Sequence, residues 1–193
     1  GDVYKRQALH VAYAAAEVGP GDEVITTPLT FLATATAAAL LGAKIVFADI
    51  SEDTGNLDPE AAAAEVTAST KVIAGVDYGG HPVDAPALSK VAKDAGAYLL
   101  EDAAHSVGGS LNGVPVGSLA DITTFSFFPT KNLTTGEGGA VVAKDADVLE
   151  RARRFKGIGM VREADQLRHP DEGAWWGLNY RLNDLQAALG SSQ

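Results

Sequence analysis

Apolar and polar positions along this chain come in blocks, and the blocks alternate in kind. ALHVAYAAAEV at 8–18 has helical spacing, and GPGD at 19–22 closes it. Helical patterns return at 31–42 (FLATATAAALLG), 58–66 (DPEAAAAEV), 84–96 (DAPALSKVAKDAG) and 145–157 (DADVLERARRFKG). In DPEAAAAEV, Asp58 is placed as an N-cap with Pro59 at the first helical position. The last pattern carries basic residues in its final turns, where they suit the negative end of a helix dipole. Short apolar runs lie between the helices: EVITT (23–27), KIVFADI (44–50), KVIAGVDY (71–78), AYLLED (97–102), DITTFSF (121–127) and GAVVAK (139–144). They are nearly continuous instead of alternating, as expected of strands covered on both faces. The pattern predicts an α/β fold, a three-layer α/β/α sandwich with a mostly parallel sheet. In such folds ligands gather at the carboxyl ends of strands. Three such ends carry polar or aromatic residues that can converge: TPLTF after the first strand, Glu101-Asp102, and Ser126 with Lys131.

Composition changes this picture little. The chain has 193 residues, 46% hydrophobic and 21% charged, which suits one soluble domain, or one and part of another. A net charge of -10 argues against nucleic acid as a partner. The absence of cysteine excludes disulfides, thiol catalysis and zinc–thiolate sites, and fits a cytoplasmic protein. The run from Phe31 to Ala43 is too short and too rich in Ala and Thr to span a membrane. GDVYKRQ at the start lacks the apolar stretch of a signal peptide. It does not lead into the helical pattern beginning at Ala8, so residues 1–7 are expected to be a non-native scar. Near Gly157 the composition shifts, and RHPDEGAWWGLNYRLND reads as a connector; ALGSSQ stops within a helical pattern. Residues 8–193 are therefore expected to be one domain cut at both ends.

The chemistry concentrates in FSFFPTKNLTTGEGG at 125–139. Lys131 is either a solvated loop lysine or, if desolvated, an amine able to form a Schiff base with an aldehyde. Asp102 ends an apolar strand. It is either a cap for the next turn or a buried carboxylate that needs a cationic partner, such as a protonated pyridine nitrogen. Ser126, Thr130, Thr134, Thr135 and Gly136 offer hydroxyls and backbone amides that suit a phosphate, or ordinary turn chemistry. Phe31 is a core residue or the cover of a ring face. His105 is structural or a partner for a phenolic oxygen.

Taken in order, EDAAHSVG, DITTFSFFPTKNLTTGEGG and WGLNYRLNDLQAALG resemble the DegT/DnrJ/EryC1/StrS family of pyridoxal-phosphate-dependent sugar aminotransferases, as do GDEVITTPLTFLATATAAALLGAKIVFADI, NLDPEA and GVDYGGHPVD. The resemblance runs from about Ala8 to Leu189 and covers the large cofactor-binding domain, without the small C-terminal domain. It implies the fold type I architecture of the aspartate aminotransferase superfamily and pyridoxal 5'-phosphate as cofactor. It makes Lys131 the lysine that carries the cofactor and later moves protons, and Asp102 the partner of the pyridine nitrogen. Phe31 would stack on the ring, His105 would stand beside the ring oxygen, Ser126 would bind phosphate, and Asn179 would reach the phosphate in a neighbouring subunit. A Gly-Ser/Thr pair that also holds phosphate is expected before ALHVAYAA. GDVYKRQ stands there instead, which leaves the site incomplete.

The resemblance implies transfer of an amino group from an amino acid such as glutamate to a nucleotide-linked keto sugar, in a homodimer with shared active sites. Relatives with His in place of the lysine act as sugar dehydratases, and Lys131 favours the transaminase branch. A lyase on the same scaffold and an inactive cofactor-binding protein are the competing expectations. Trp175 and Trp176 suit an interface, or the core of their own domain.

Overall fold

The computed structural model describes residues 3–163, 166–168 and 176–193. Its centre is a six-stranded sheet in the order β2-β1-β3-β4-β7-β8, built from Glu23–Thr26 (β1), Lys44–Phe47 (β2), Thr70–Val76 (β3), Tyr98–Asp102 (β4), Ile122–Ser126 (β7) and Gly139–Ala143 (β8). Five strands run parallel, and β8 runs antiparallel to β7. Two small hairpins stand apart from it, Ser110–Leu111 (β5) with Val114–Pro115 (β6), and Val161–Glu163 (β9) with Gln166–Arg168 (β10).

Alternate residues of each strand face opposite layers. Val24, Val72, Ala74, Leu100 and Ile122 pack against α1 (Val3–Ala15), α2 (Ala33–Ala39) and α5 (Ala146–Lys156). Ile25, Ile73 and Leu99 pack on the other face with α3 (Pro59–Ala64) and α4 (Ala85–Asp94). The three-layer sandwich expected from the pattern is the observed fold. α1 is buried from Ala8 onward except at His10, and Ala8, Ala12, Ala14 and Ala15 let the sheet and both neighbouring helices approach closely beside Leu9, Val11 and Tyr13.

Local signals act as the sequence suggests. The Asp58 carboxylate accepts from the Glu60 and Ala61 amides, both at 2.8 Å. Asp84 and Asp145 cap α4 and α5 in the same way, and Asn183 caps α6 (Asp184–Ser191) through a reciprocal box with Gln186. Two boundaries differ from expectation. The helix expected to begin at Ala8 begins at Val3, so part of the segment set apart as a scar forms its first turns. The helix expected over 31–42 is shortened to Ala33–Ala39, and Phe31 and Leu32 stay outside it, exposed.

The winding reverses between β1 and β3: β2 lies on one side of β1, and β3, β4 and β7 on the other. Such a reversal opens a crevice at the strand ends. The link from β7 to β8 holds no helix among its residues 127–138, and a parallel return needs a crossover of a dozen or more residues, usually helical. β8 therefore turns back antiparallel, and the loop that makes the turn carries Lys131 at the crevice.

Candidate active site

A cavity of about 480 Å³ opens at this crevice, within the range that holds small ligands. Most of the wall follows strands, with Phe31 after β1, Asp77 after β3, Asp102 and His105 at and after β4, and Thr130 and Lys131 after β7, and Lys5 of α1 adds to it. The fold thus brings together Phe31, Asp102, His105 and Lys131, which lie up to 100 residues apart in the chain. Another cavity, about 330 Å³, lies between α1, β8 and α5 and contains none of these four.

Asp102 is fully buried and well held. Its Oδ2 accepts a hydrogen bond from the Thr34 hydroxyl at 2.7 Å and pairs with the Lys5 ammonium at 2.9 Å. Its Oδ1 accepts from the Ala104 amide at 3.3 Å. Thr34 is itself fixed, since its carbonyl accepts from the Tyr13 hydroxyl at 2.8 Å. The Lys5 ammonium also lies 5.6 Å from the centre of the Phe31 ring. Asp102 is therefore the counter-ion of a buried cation beside an aromatic face, and it also caps the next turn through the Ala104 amide.

His105 lies between buried Ala104 and Ser106 and opens to the cavity. Burial holds its imidazole below the usual 6.5, and the Lys131 and Lys5 ammonium groups push it the same way, against the pull of Asp102. Its turn rests on the loop after β3. Ser106 Oγ donates to Asp77 Oδ2, and the Val83 amide donates to Asp77 Oδ1 at 3.0 Å. Gly80 has φ +89°, and a Cβ there would lie 3.0 Å from the His105 carbonyl oxygen, so glycine permits the approach.

The remaining candidates lie elsewhere. Ser126, the last residue of β7, is buried outside the cavity lining, and its hydroxyl has no hydrogen-bond partner among the described residues. Thr134 Oγ1 donates to the Phe127 carbonyl at 3.2 Å and accepts from the Gly136 amide at 3.0 Å; Thr135 Oγ1 donates to the Glu137 carbonyl at 2.8 Å. These hydroxyls shape the lysine loop itself. Asn179 is exposed, and its Oδ1 accepts from Arg181 Nε at 2.9 Å. Trp176 is 93% exposed and does not pack in the core, while Trp175 lies outside the described residues.

Thr34, Tyr13, Asp77 and Lys5 were not foreseen. Thr34 and Tyr13 look like ordinary members of Ala-rich helices, and only the packing of α1 on α2 turns them toward Asp102. Asp77 ends an apolar strand just as Asp102 does, and that shared position was its one legible signal.

The sequence model of the DegT/DnrJ/EryC1/StrS aminotransferase family matches residues 6–193. This chain belongs to that family. Among its relatives, the spore coat polysaccharide biosynthesis protein SpsC of Bacillus subtilis is 44% identical, over 96% of this chain and 49% of that protein. The UDP-4-amino-4,6-dideoxy-N-acetyl-beta-L-altrosamine transaminase of Campylobacter jejuni is 40% identical, over 96% of this chain and 49% of its own. The crystal structure of an aminotransferase from Psychrobacter cryohalolentis superimposes with a TM-score of 0.90 at 35% identity, covering 98% of this chain and 50% of that one. The chain thus spans about half the length of the relatives it matches. The fold is that of the fold type I aminotransferases. No helix among the described residues is long and apolar enough to cross a membrane.

Buried Asp77 has a consequence for stability. Desolvation, and then the negative charge of Glu101, push its carboxyl from 3.8 up to about 7, against the pull of the Ser106 and Val83 hydrogen bonds. A carboxyl raised on folding binds a proton in the native state that the unfolded chain has already lost. Its contribution to stability is complete below about pH 4 and disappears as the pH rises to about 7. Asp77→Asn should therefore lack this part of the decline between pH 4 and 7, as read by urea denaturation across that range. Parallel profiles for the two chains would show that Asp77 does not titrate there.

Proposed function

We propose that this chain is the cofactor-binding part of a pyridoxal-phosphate-dependent aminotransferase that moves an amino group from an amino acid, such as glutamate, to a nucleotide-linked keto sugar. The observation that carries this is the cavity shared by Lys131, Asp102, His105 and Phe31. The residues suit the cofactor: Asp102 already holds a cation beside the Phe31 ring, and the Ser126 hydroxyl is buried without a partner among the described residues. The transaminase name of the Campylobacter jejuni relative supports the same reading.

Pyridoxal phosphate, when bound, supplies an aldehyde that bonds to amines and a ring that withdraws electrons. Lys131 holds the aldehyde side of the site and serves as the base that takes a proton from the substrate carbon and returns it. Asp102, held in place by the Thr34 hydroxyl, would pair with a positive charge at the ring nitrogen. Phe31 covers one ring face and excludes water. His105, with its imidazole kept toward the neutral form, offers a hydrogen bond to the ring oxygen. Ser126 contributes to phosphate binding.

Asn179 and Trp176 are exposed away from this cavity, and we assign both to a two-fold interface in which Asn179 serves the partner's site. Subunit exchange between two inactive variants, Lys131→Ala and Asn179→Ala, is the check on that assignment.

The function is tested by absorbance. A chain of the relatives' full length, mixed with pyridoxal phosphate, should turn yellow, lose that band on addition of glutamate, and regain it with a nucleotide-linked keto sugar. A band that glutamate leaves unchanged would reduce the protein to a cofactor binder.

A further inference from the structure

We infer that Lys5 is a tethered competitor for the cofactor's ring nitrogen: its ammonium occupies the one cation subsite of Asp102 and must leave before pyridoxal phosphate can seat. The inference rests on the cofactor reading above and concerns a residue outside it.

The geometry is specific. Lys5 Nζ lies 2.9 Å from Asp102 Oδ2, and the two side chains are 5% and 0% exposed. Oδ2 already accepts from Thr34 at 2.7 Å, and Oδ1 faces the Ala104 amide of its own turn. The open approach to the carboxylate is from the cavity, and Lys5 is part of that cavity's lining. The ammonium lies 5.6 Å from the centre of the Phe31 ring, the same aromatic that would cover the cofactor. Lys5 thus makes two contacts that the reading assigns to the pyridinium, the charged partner and the aromatic face. Two cations held on one buried carboxylate repel each other, and that repulsion is weakly screened there, so each weakens the binding of the other. Exchange is feasible, because a pyridinium replaces an ammonium charge for charge and Asp102 never stands uncompensated.

Lys5 lies in the first turns of α1, and its side chain is long enough to swing toward solvent when displaced. The competition belongs to the residue at position 5. A chain with a neutral side chain there would keep the Asp102 subsite open.

The test uses pyridoxamine phosphate, which has no aldehyde and so forms no Schiff bases with surface lysines. Its dissociation constant is measured by fluorescence titration for the wild-type chain, Lys5→Met and Lys5→Arg. Lys5→Met should bind roughly 10–100-fold more tightly, the range expected for a hydrogen bond to a charged group. Lys5→Arg, which keeps the cation, should stay close to wild type. If Lys5→Met folds poorly, the wild-type chain alone decides the matter by acetylation and mass spectrometry. Lys5 should be protected in the free chain and labelled faster once pyridoxamine phosphate is bound. Equal affinities, or Lys5 protection unchanged by bound pyridoxamine phosphate, would overturn the competition and leave the cofactor reading standing. Absence of binding by every variant would overturn both.

Discussion

In a chain of the relatives' full length, Lys131→Ala is expected to lower turnover by at least about 10²–10⁴-fold, the range a positioned acid–base group contributes. It should also carry no borohydride-fixed cofactor. In the wild-type protein, reduction with borohydride should fix pyridoxal phosphate to Lys131, as read by peptide mass spectrometry. The reasoning is spatial. Lys131 follows the turn in which its amide donates to the Phe128 carbonyl at 3.0 Å, and it lines the same cavity as Asp102 and His105. Lys144 donates to the Leu119 carbonyl, and Lys156 lines the cavity between α1, β8 and α5. A label on either of those two would move the site. The same variant probes the dimer. Mixed with Asn179→Ala, it should form heterodimers in which one site carries both lesions and the other neither. Activity per heterodimer should return toward half of wild type. A mixture that stays inactive despite proven exchange would remove Asn179 from the partner's site.

Asp102→Asn is expected to act on stability and on catalysis separately. In the cofactor-free chain it leaves the Lys5 ammonium buried beside a neutral amide. Breaking a buried pair from one side costs about 3–5 kcal/mol. Urea denaturation should show that loss, and combining Asp102→Asn with Lys5→Met should recover much of it, because the two residues act on one another. In the full-length enzyme the same change removes the charge that favours a protonated ring nitrogen. Proton removal from the substrate should slow by about 10–100-fold while cofactor binding persists, since a hydrogen bond to a charged group contributes about 1.5–3 kcal/mol. A variant as stable and as fast as wild type would make Asp102 a cap and no more.

How much of this could be read in advance depends on the range of the interaction concerned. The strands were legible because apolar runs covered on both faces keep their character whatever they pack against. Asp58 was legible as a helix start because a cap bonds within three residues of itself. That Lys131, Asp102, Phe31 and His105 would meet followed from position, each lying at or just after a strand end of a parallel sheet. Their chemistry came from motif order, since each residue by itself suited a bland reading as well. The start of the first helix was misjudged on local grounds: GDVYKRQ lacks the Ala-rich pattern of 8–18, yet Val3 opens α1.

The layers, the strand ends and the lysine loop follow from local pattern, because periodicity, caps and turn residues act over a few positions. What Asp102 touches depends on how distant segments pack. Thr34 reaches it across 68 residues, and Lys5 fills its cation site from a helix whose spacing gives no sign of doing so. Asp77 and Ser106 likewise bond across 29 residues to hold the turn that bears His105. Partners of this kind are selected by which faces of α1, α2 and the loop after β3 pack together. A buried carboxylate takes whichever donor that packing delivers, and nothing within a few residues of Asp102 records the choice.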